Sequence, residues 1–338
     1  MAKAAAQYGV MVWMTPWGTG SGGSPGGPDT TTETNPNGCN GSMPVLTNGQ
    51  DLANNLVSWV QNAKSQGVPI YAVSGENEPD SCGINQTTSY SATQLATWIG
   101  RYLGPAMSNI GVKVMAPETQ NACGFPGYLS AIQSNSAAWS NVSIFASHEY
   151  GCGTLPSEAS IATAGKEYWE TEVDTGSVNG DNDGMPSALH LAQTIHDDLT
   201  KANLNAWHYW WLWAGGTSGL YDTTTKVWRK ALWVMGNFSR FARPGYMRVS
   251  TSANAPSGVA VTAYLNPSSN ALVIVAINNN ASSTNLPLYV SGSAPCTLIP
   301  WETSATKNLV QGAGVTVASS RVSLTLTGQS VTTFVGMP

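Results

Sequence analysis

Apolar residues come in short, nearly continuous runs through the first two-thirds of the chain and alternate with polar ones through the last third. The runs predict strands at Val10–Met14, Ile70–Ser74, Val112–Met115, Val142–Ser147, Glu167–Glu172 and Leu204–Trp211. Runs of this kind suit parallel strands buried on both faces. Between the first two strands the spacing is helical: Leu52, Leu56, Val60 and Ala63 share one face behind Asp51 as N-cap, and Gly67 suits the left-handed C-terminal position. Ser91 and Gln94 form a capping box ahead of Leu95, Trp98, Ile99 and Tyr102, and Gly104-Pro105 is expected to end that helix. Further helices are expected from Pro186, with Leu189, Ala192, Ile195 and Leu199 on one side, and over Ala231–Phe241. The pattern predicts an α/β domain of six β/α units.

Past Arg243-Pro244-Gly245 the period becomes two. Strands are expected at Val259–Leu265, Leu272–Asn278, Leu286–Val290, Thr297–Trp301, Val315–Val317, Arg321–Leu326 and Val331–Val335. Asn, Ser, Gly and Pro turns separate them, which reads as a C-terminal antiparallel β-sandwich side domain. The expected domains are therefore residues 1–243 and 244–338, with Gly18–Ser42 as a long loop after the first strand.

Composition narrows the partners. Only 10% of residues are charged, and 14 Lys and Arg against 19 Asp and Glu give a net charge of −5. With no basic run to neutralise phosphates, nucleic acid is not expected as a partner. No apolar stretch reaches the ~20 residues of a membrane span, so no membrane partner is expected either. The 13 Trp, set among neutral amides and hydroxyls, suit either an uncharged polyhydroxylated ligand or a Trp-rich core.

In parallel β/α barrels the chemistry sits at the C-terminal ends of the strands. Gly75-Glu76-Asn77-Glu78-Pro79-Asp80 follows the second predicted strand, His148-Glu149-Tyr150 the fourth, and Glu170-Thr171-Glu172-Val173-Asp174 closes the fifth. Trp210, Trp211 and Trp213 lie at the end of the sixth. Two carboxylates on separate strand ends, among Trp, Tyr and His, are what acid/base and nucleophilic attack on a glycoside require.

The segments YAVSGENEPD, VMAPE, SIFASHEYG, YWETEV, WHYWWLW, GNFSRFARPGYMRV, ALVIVAINN and QSVTTFV, in that order, resemble the family 30 glycoside hydrolases of the clan A retaining type, nearest their xylan-cleaving members. The likeness runs from about Val10 to the C-terminus. It implies a retaining endo-glycoside hydrolase cleaving β-1,4-xylan by double displacement, with Glu78 as general acid/base, Glu172 as nucleophile, and no metal or cofactor. It further implies that Asn77 bonds a sugar 2-hydroxyl, that Tyr150 partners the nucleophile and that His148 neighbours the acid. Trp17 with one or more of Trp210, Trp211 and Trp213 is expected to form the sugar platform. Glu76, Glu118, Glu149, Glu170 and Asp174 are expected as hydrogen-bonding supports.

Two departures from the family pattern stand out. Glucuronoxylan-specific members carry an Arg pair where this chain has Ala214-Gly215-Gly216, so dependence on glucuronate is not expected. Unsubstituted or arabinose-decorated xylan remains open as substrate, as does a β-1,6-linked glucan or galactan. A non-catalytic carbohydrate-binding protein is the alternative of another class. The first two of the family's eight barrel strands also lack a counterpart, so the resemblance implies an incomplete (β/α)8-type barrel with six β/α units, either a fragment or a natural six-unit variant, and a homodimer is expected to cover the open side between Val10–Met14 and Leu204–Trp211.

Cys39, Cys82, Cys123 and Cys152 each fall in a loop after a successive strand. Of three pairings, Cys39 with Cys82 and Cys123 with Cys152 is favoured, with Cys296 left over. A zinc site would need a close CxxC pair. Disulfides point to an oxidising compartment and thus to an extracellular, secreted enzyme.

Overall fold

The computed structural model describes residues 2–17, 49–81, 89–174, 184–215, 218–251, 254–292 and 295–336. The expected loop Gly18–Ser42, the Cys39–Cys82 pair and Gly216 lie outside them. The chain forms two compact units: residues 1–173 with 201–208, and residues 174–200 with 209–338.

The first unit is built on six strands: β1 (Val12–Met14), β2 (Ile70–Ser74), β3 (Lys113–Thr119), β4 (Val142–His148), β5 (Glu167–Val173) and β6 (Ala206–Tyr209). They hydrogen-bond in sequence order, β1 to β5 in parallel. This is the expected partial barrel. One face carries Ala72, Met115, Ile144, Ala146 and Trp169, with Trp13, Tyr71 and Ala206 packed against them. The sheet curls far enough for a side chain of its first strand to meet one of its last, the Trp13 and His208 rings lying edge to face with centroids 5.8 Å apart.

The helix begun by Ser91 has both halves of its capping box, Gln94 N–H donating to Ser91 Oγ at 3.3 Å and Ser91 N–H to Gln94 Oε1 at 2.9 Å. It does not stop at Gly104-Pro105. Ala92–Trp98 continues through a π turn, Ile99–Leu103, into Gly104–Ser108, with Gly104 N–H bonded to Ile99 C=O. The wider turn changes the ladder's register where Pro105 has no N–H to offer. Gly104 serves close packing instead: a Cβ there would lie 2.5 Å from the Cβ of Asn141, on the helix Ser136–Asn141, and one at Gly100 would lie 2.9 Å from Ala138 N. Asp51 sits inside the first turn of the helix Gly49–Ser65 rather than capping it, where its carboxylate still faces the positive helix end. Gly67 does take the left-handed conformation, at φ +82°.

In the second unit the helix Met185–Asp197 packs on the helix Lys230–Ser239. The single strand expected over Leu204–Trp211 is two, because the run breaks at Trp210. Its later part belongs to a separate three-stranded sheet of β7 (Trp211–Ala214), β8 (Gly219–Asp222) and β9 (Val227–Trp228). An unbroken apolar run gives no sign of which neighbours its two halves will bond.

Alternating segments then form β10 (Met247–Val249), β11 (Val259–Leu265), β12 (Leu272–Asn278), β13 (Thr284–Tyr289), β14 (Thr297–Thr303), β15 (Val310–Gln311), β16 (Val315–Thr316), β17 (Arg321–Leu326) and β18 (Ser330–Gly336). β10-β11-β12-β18-β14-β15, with β16 on β14, make one sheet and β13-β17 the other. Ala263, Ile274, Leu298 and Phe334 from the first sheet meet Leu286, Val322, Leu324 and Leu326 from the second in a common core.

Replacing Gly104 by Ala is expected to destabilise the fold by about 1–3 kcal/mol through overpacking against Asn141. The opposing gain in helix propensity is only ~1 kcal/mol. Denaturant unfolding of the variant checks the sign.

Candidate active site

Three strand ends of the first unit converge on one histidine. His148 closes β4, and the run Val142–His148 that carries it is nearly all buried. Its Nδ1 lies 3.1 Å from Glu78 Oε1 and 3.8 Å from Glu172 Oε1, while Nε2 lies 3.8 Å from Glu118 Oε1. All four side chains are buried.

Two irregularities in the sheet aim these groups. The β4–β5 register pairs Ser147 with Glu170 and then His148 with Glu172, so Thr171 is the extra residue and the nucleophile candidate comes opposite the histidine. The β3–β4 register likewise passes from Pro117 to Thr119, leaving Glu118 out of the pairing. Bulges of this kind re-aim side chains that a regular pleat would send to the other face. Backbone strain accompanies them: Glu78 and Glu118 are left-handed, at φ 46° and 56°. Non-glycine residues there cost roughly 1–2 kcal/mol each. The two are tied together, Glu78 N–H donating to the Glu118 carbonyl at 2.9 Å.

Further contacts orient the carboxylates. Tyr150 donates its hydroxyl proton to Glu172 Oε1 at 3.1 Å, and Thr15 donates to Glu118 Oε2 at 2.9 Å. Gln120 Nε2 reaches Glu78 Oε2 at 3.5 Å, while its backbone N–H donates to Asp80 Oδ1 at 2.7 Å. The loops carrying Gln120 and Tyr150 are joined by the Cys123–Cys152 disulfide, with Cα atoms 5.8 Å apart, one of the two expected bridges. Asn77 is buried, and its N–H donates to the Pro16 carbonyl at 3.0 Å, next to half-buried Trp17.

The charges depend on one another. Burial alone would lower the His148 pKa, but Glu118, Glu78 and Glu172 outweigh it and raise it from 6.5 to about 10. The ring is therefore an imidazolium at neutral pH, with Nδ1 donating to Glu78 Oε1 and Nε2 facing Glu118 across an ion-pair distance. Burial raises Glu172 to about 7; His148 opposes that rise, Glu78 and Glu118 add to it, and the Tyr150 hydrogen bond opposes it. Glu78, His148 and Glu172 offer ligand atoms within 4.8 Å of one another, a spacing that a metal ion would also fit.

Glu78, Glu172, Asn77, His148, Tyr150 and Trp17 thus all lie in the first unit. Trp210, Trp211 and Trp213 belong to the second, where Trp210 and Trp211 stack with centroids 5.4 Å apart. Of the expected supports, Glu149 Oε1 accepts from Leu155 N–H at 2.8 Å and Glu170 Oε2 from His208 N–H at 3.1 Å. Sequence reasoning passed over Thr15, Gln120 and His208. Gln120 stands two positions beyond Glu118 at the same strand end, and that position was its available signal.

No family model matches the chain. Glucuronoxylanase XynC of Bacillus subtilis (strain 168) is 29% identical over 343 residues, covering 99% of this chain and 76% of its own. Among solved structures, the glycoside hydrolase family 30 subfamily 8 xylanase Xyn30A from Clostridium acetobutylicum superimposes with a TM-score of 0.87 at 30% identity, covering 100% of this chain and 82% of that one. A GH30 endoxylanase from Clostridium papyrosolvens C71 gives a TM-score of 0.84 at 26% identity, with the same coverage.

Replacing His148 by Gln leaves buried carboxylates without their cation and is expected to cost about 3–5 kcal/mol at pH 7. Because the folded-state pKa is raised, the wild-type contribution is complete below about 6.5 and is lost as pH climbs through about 10. Unfolding free energies of both proteins across that range should converge on the alkaline side.

Proposed function

Because this chain belongs to glycoside hydrolase family 30, we propose that it is a retaining endo-xylanase acting on the β-1,4-linked backbone by double displacement. The observation that carries this reading is the clustering of Glu78 and Glu172 around His148, ligand atoms within 4.8 Å. Retaining glycosidases hold their carboxyl groups about 5–5.5 Å apart, inverting ones about 6.5–9.5 Å.

Glu172, ionised, attacks the anomeric carbon while Glu78 gives its proton to the departing glycosidic oxygen, leaving a glycosyl ester on Glu172. Water then attacks the anomeric carbon of the ester, its proton passing to Glu78 now acting as base, and Glu172 leaves as the free carboxylate. His148, protonated at neutral pH, favours the ionised form of Glu172. Tyr150 holds Glu172 Oε1 in the attacking orientation. Asn77 is assigned to the sugar 2-hydroxyl, and Trp17, Trp210, Trp211 and Trp213 to stacking on sugar rings.

Glucuronate is not part of the recognition we propose. Ala214 and Gly215 carry no charge, no Arg stands between Trp213 and Arg229, and Arg229 is buried in an ion pair with Asp222 at 3.0 Å. The Cys123–Cys152 bridge supports an oxidising, extracellular site of action. A homodimer is our proposal for covering the outer edges of β1 and β6, which pair with no further strand among the described residues. A monomer of 35.4 kDa by light scattering, stable at micromolar concentration, would end that part of the proposal.

Reducing-sugar release should be greatest on xylan, compared with linear β-1,6-glucan and galactan, and NMR of the first product should show the retained β-anomer. Glu172→Gln should abolish hydrolysis, and Glu78→Ala should slow xylan far more than aryl glycosides with activated leaving groups. Stripping glucuronate from xylan should change kcat/KM less than threefold; a lost charge-assisted contact of about 1.5–3 kcal/mol would change it more than tenfold.

The nucleophile must be ionised, so the acid limb of kcat/KM should fall near pH 7. Tyr150→Phe removes a bond that lowers the Glu172 pKa and should move that limb to higher pH.

A further inference from the structure

The small sheet of the second unit carries an aromatic row. In the parallel pairing of β7 and β8, Trp213 stands beside Tyr221; in the antiparallel pairing of β8 and β9, Tyr221 stands opposite Trp228. Register partners point to the same face of a sheet, and Trp211, two residues before Trp213, shares it. The Tyr221 and Trp228 rings are 4.8 Å apart between centroids. Trp211, Trp213 and Trp228 are 44%, 55% and 46% exposed. Contiguous exposed aromatic surface of this kind marks a binding surface rather than a core.

The row is held in place from behind. Asp222 Oδ1 accepts from Thr224 N–H at 2.8 Å, and Oδ2 accepts from Thr225 Oγ1 at 2.7 Å and from Arg229 Nη2 at 3.0 Å. These contacts shape the turn between β8 and β9. Gly219 allows β8 to run close beside β7: a Cβ there would meet Ala214 N at 2.4 Å. With Arg229 taken up by Asp222, the row presents flat rings and no guanidinium.

We propose that Trp213, Tyr221 and Trp228, with Trp211 beside them, form a preorganised platform for an uncharged polysaccharide backbone, its sugar C–H faces lying on the rings. The occupant follows from the neutrality of the row, and its identification as xylan rests on the function proposed above. Tyr221 and Trp228 extend the aromatic set that the sequence suggested.

Affinity electrophoresis of the full chain in gels containing soluble xylan tests the platform, with a neutral β-1,6-glucan in parallel gels. Trp228→Ala and Trp213→Ala should each weaken retardation about tenfold, the loss of one stacked ring. Trp228→Phe keeps a ring and should recover most of the binding, and Trp59→Ala, which removes an exposed Trp from the helix Gly49–Ser65, should have no effect. Wild-type retardation by xylan that survives both Ala substitutions overturns the platform. So does a Trp228→Ala variant that changes from dimer to monomer in light scattering while binding xylan as before, since the row would then be a contact between copies. Retardation by β-1,6-glucan alone, lost with Trp228, would keep the platform and remove xylan as the substrate; retardation by neither overturns the platform while leaving the hydrolysis tests above to judge the enzyme.

Discussion

A buried imidazolium among three carboxylates is the constraint that organises the first unit. His148 makes contact with Glu78, Glu118 and Glu172 from three different strand ends, and removing any one partner changes the charge balance of the rest. Apolar side chains would hold a fold at least as well as a buried ionic cluster. The cluster stands at the C-terminal ends of parallel strands, the place where barrel chemistry sits and where shifted pKa values concentrate. The two register shifts and the left-handed backbones of Glu78 and Glu118 belong to the same cause. A regular pleat would alternate these residues between faces, and the strained segments persist because their surroundings fix them.

Beneath that cluster apolar packing holds the sheet. Ala72, Met115, Ile144, Ala146 and Trp169 pack one face, and the ends of the sheet meet through Trp13 and His208. Rigidity below allows precision above: the carboxylates sit on strands, and the loops that orient them through Gln120 and Tyr150 are joined by a disulfide. His208 links the two levels, donating its N–H to Glu170 while its ring lies against Trp13 and Trp169.

The second unit solves a different problem with the same means. A buried ion pair, Asp222 with Arg229, stands behind an exposed aromatic face. Arg229, the first Arg after Trp213 in the chain, is taken up by Asp222. Neutral rings and a neutral Ala-Gly segment then agree with each other.

Much of this was legible in the sequence. Continuous apolar runs located the parallel strands, period-two alternation located the sandwich, and Ser91 with Gln94 declared a helix start, because each of these signals lies within a few residues of chain. Glu78, His148 and Glu172 could be placed at strand ends for the same reason. The tertiary structure alone decided how strands register. One-residue bulges at Glu118 and Thr171 leave no local trace, yet they bring His148 opposite Glu172. It also decided that Gly104 packs against Asn141 instead of ending a helix, and that the run Leu204–Trp211 divides between two sheets. Periodicity reports which face of an element is buried; the partner across that face is chosen by hydrogen bonds and close contacts between residues far apart in the chain.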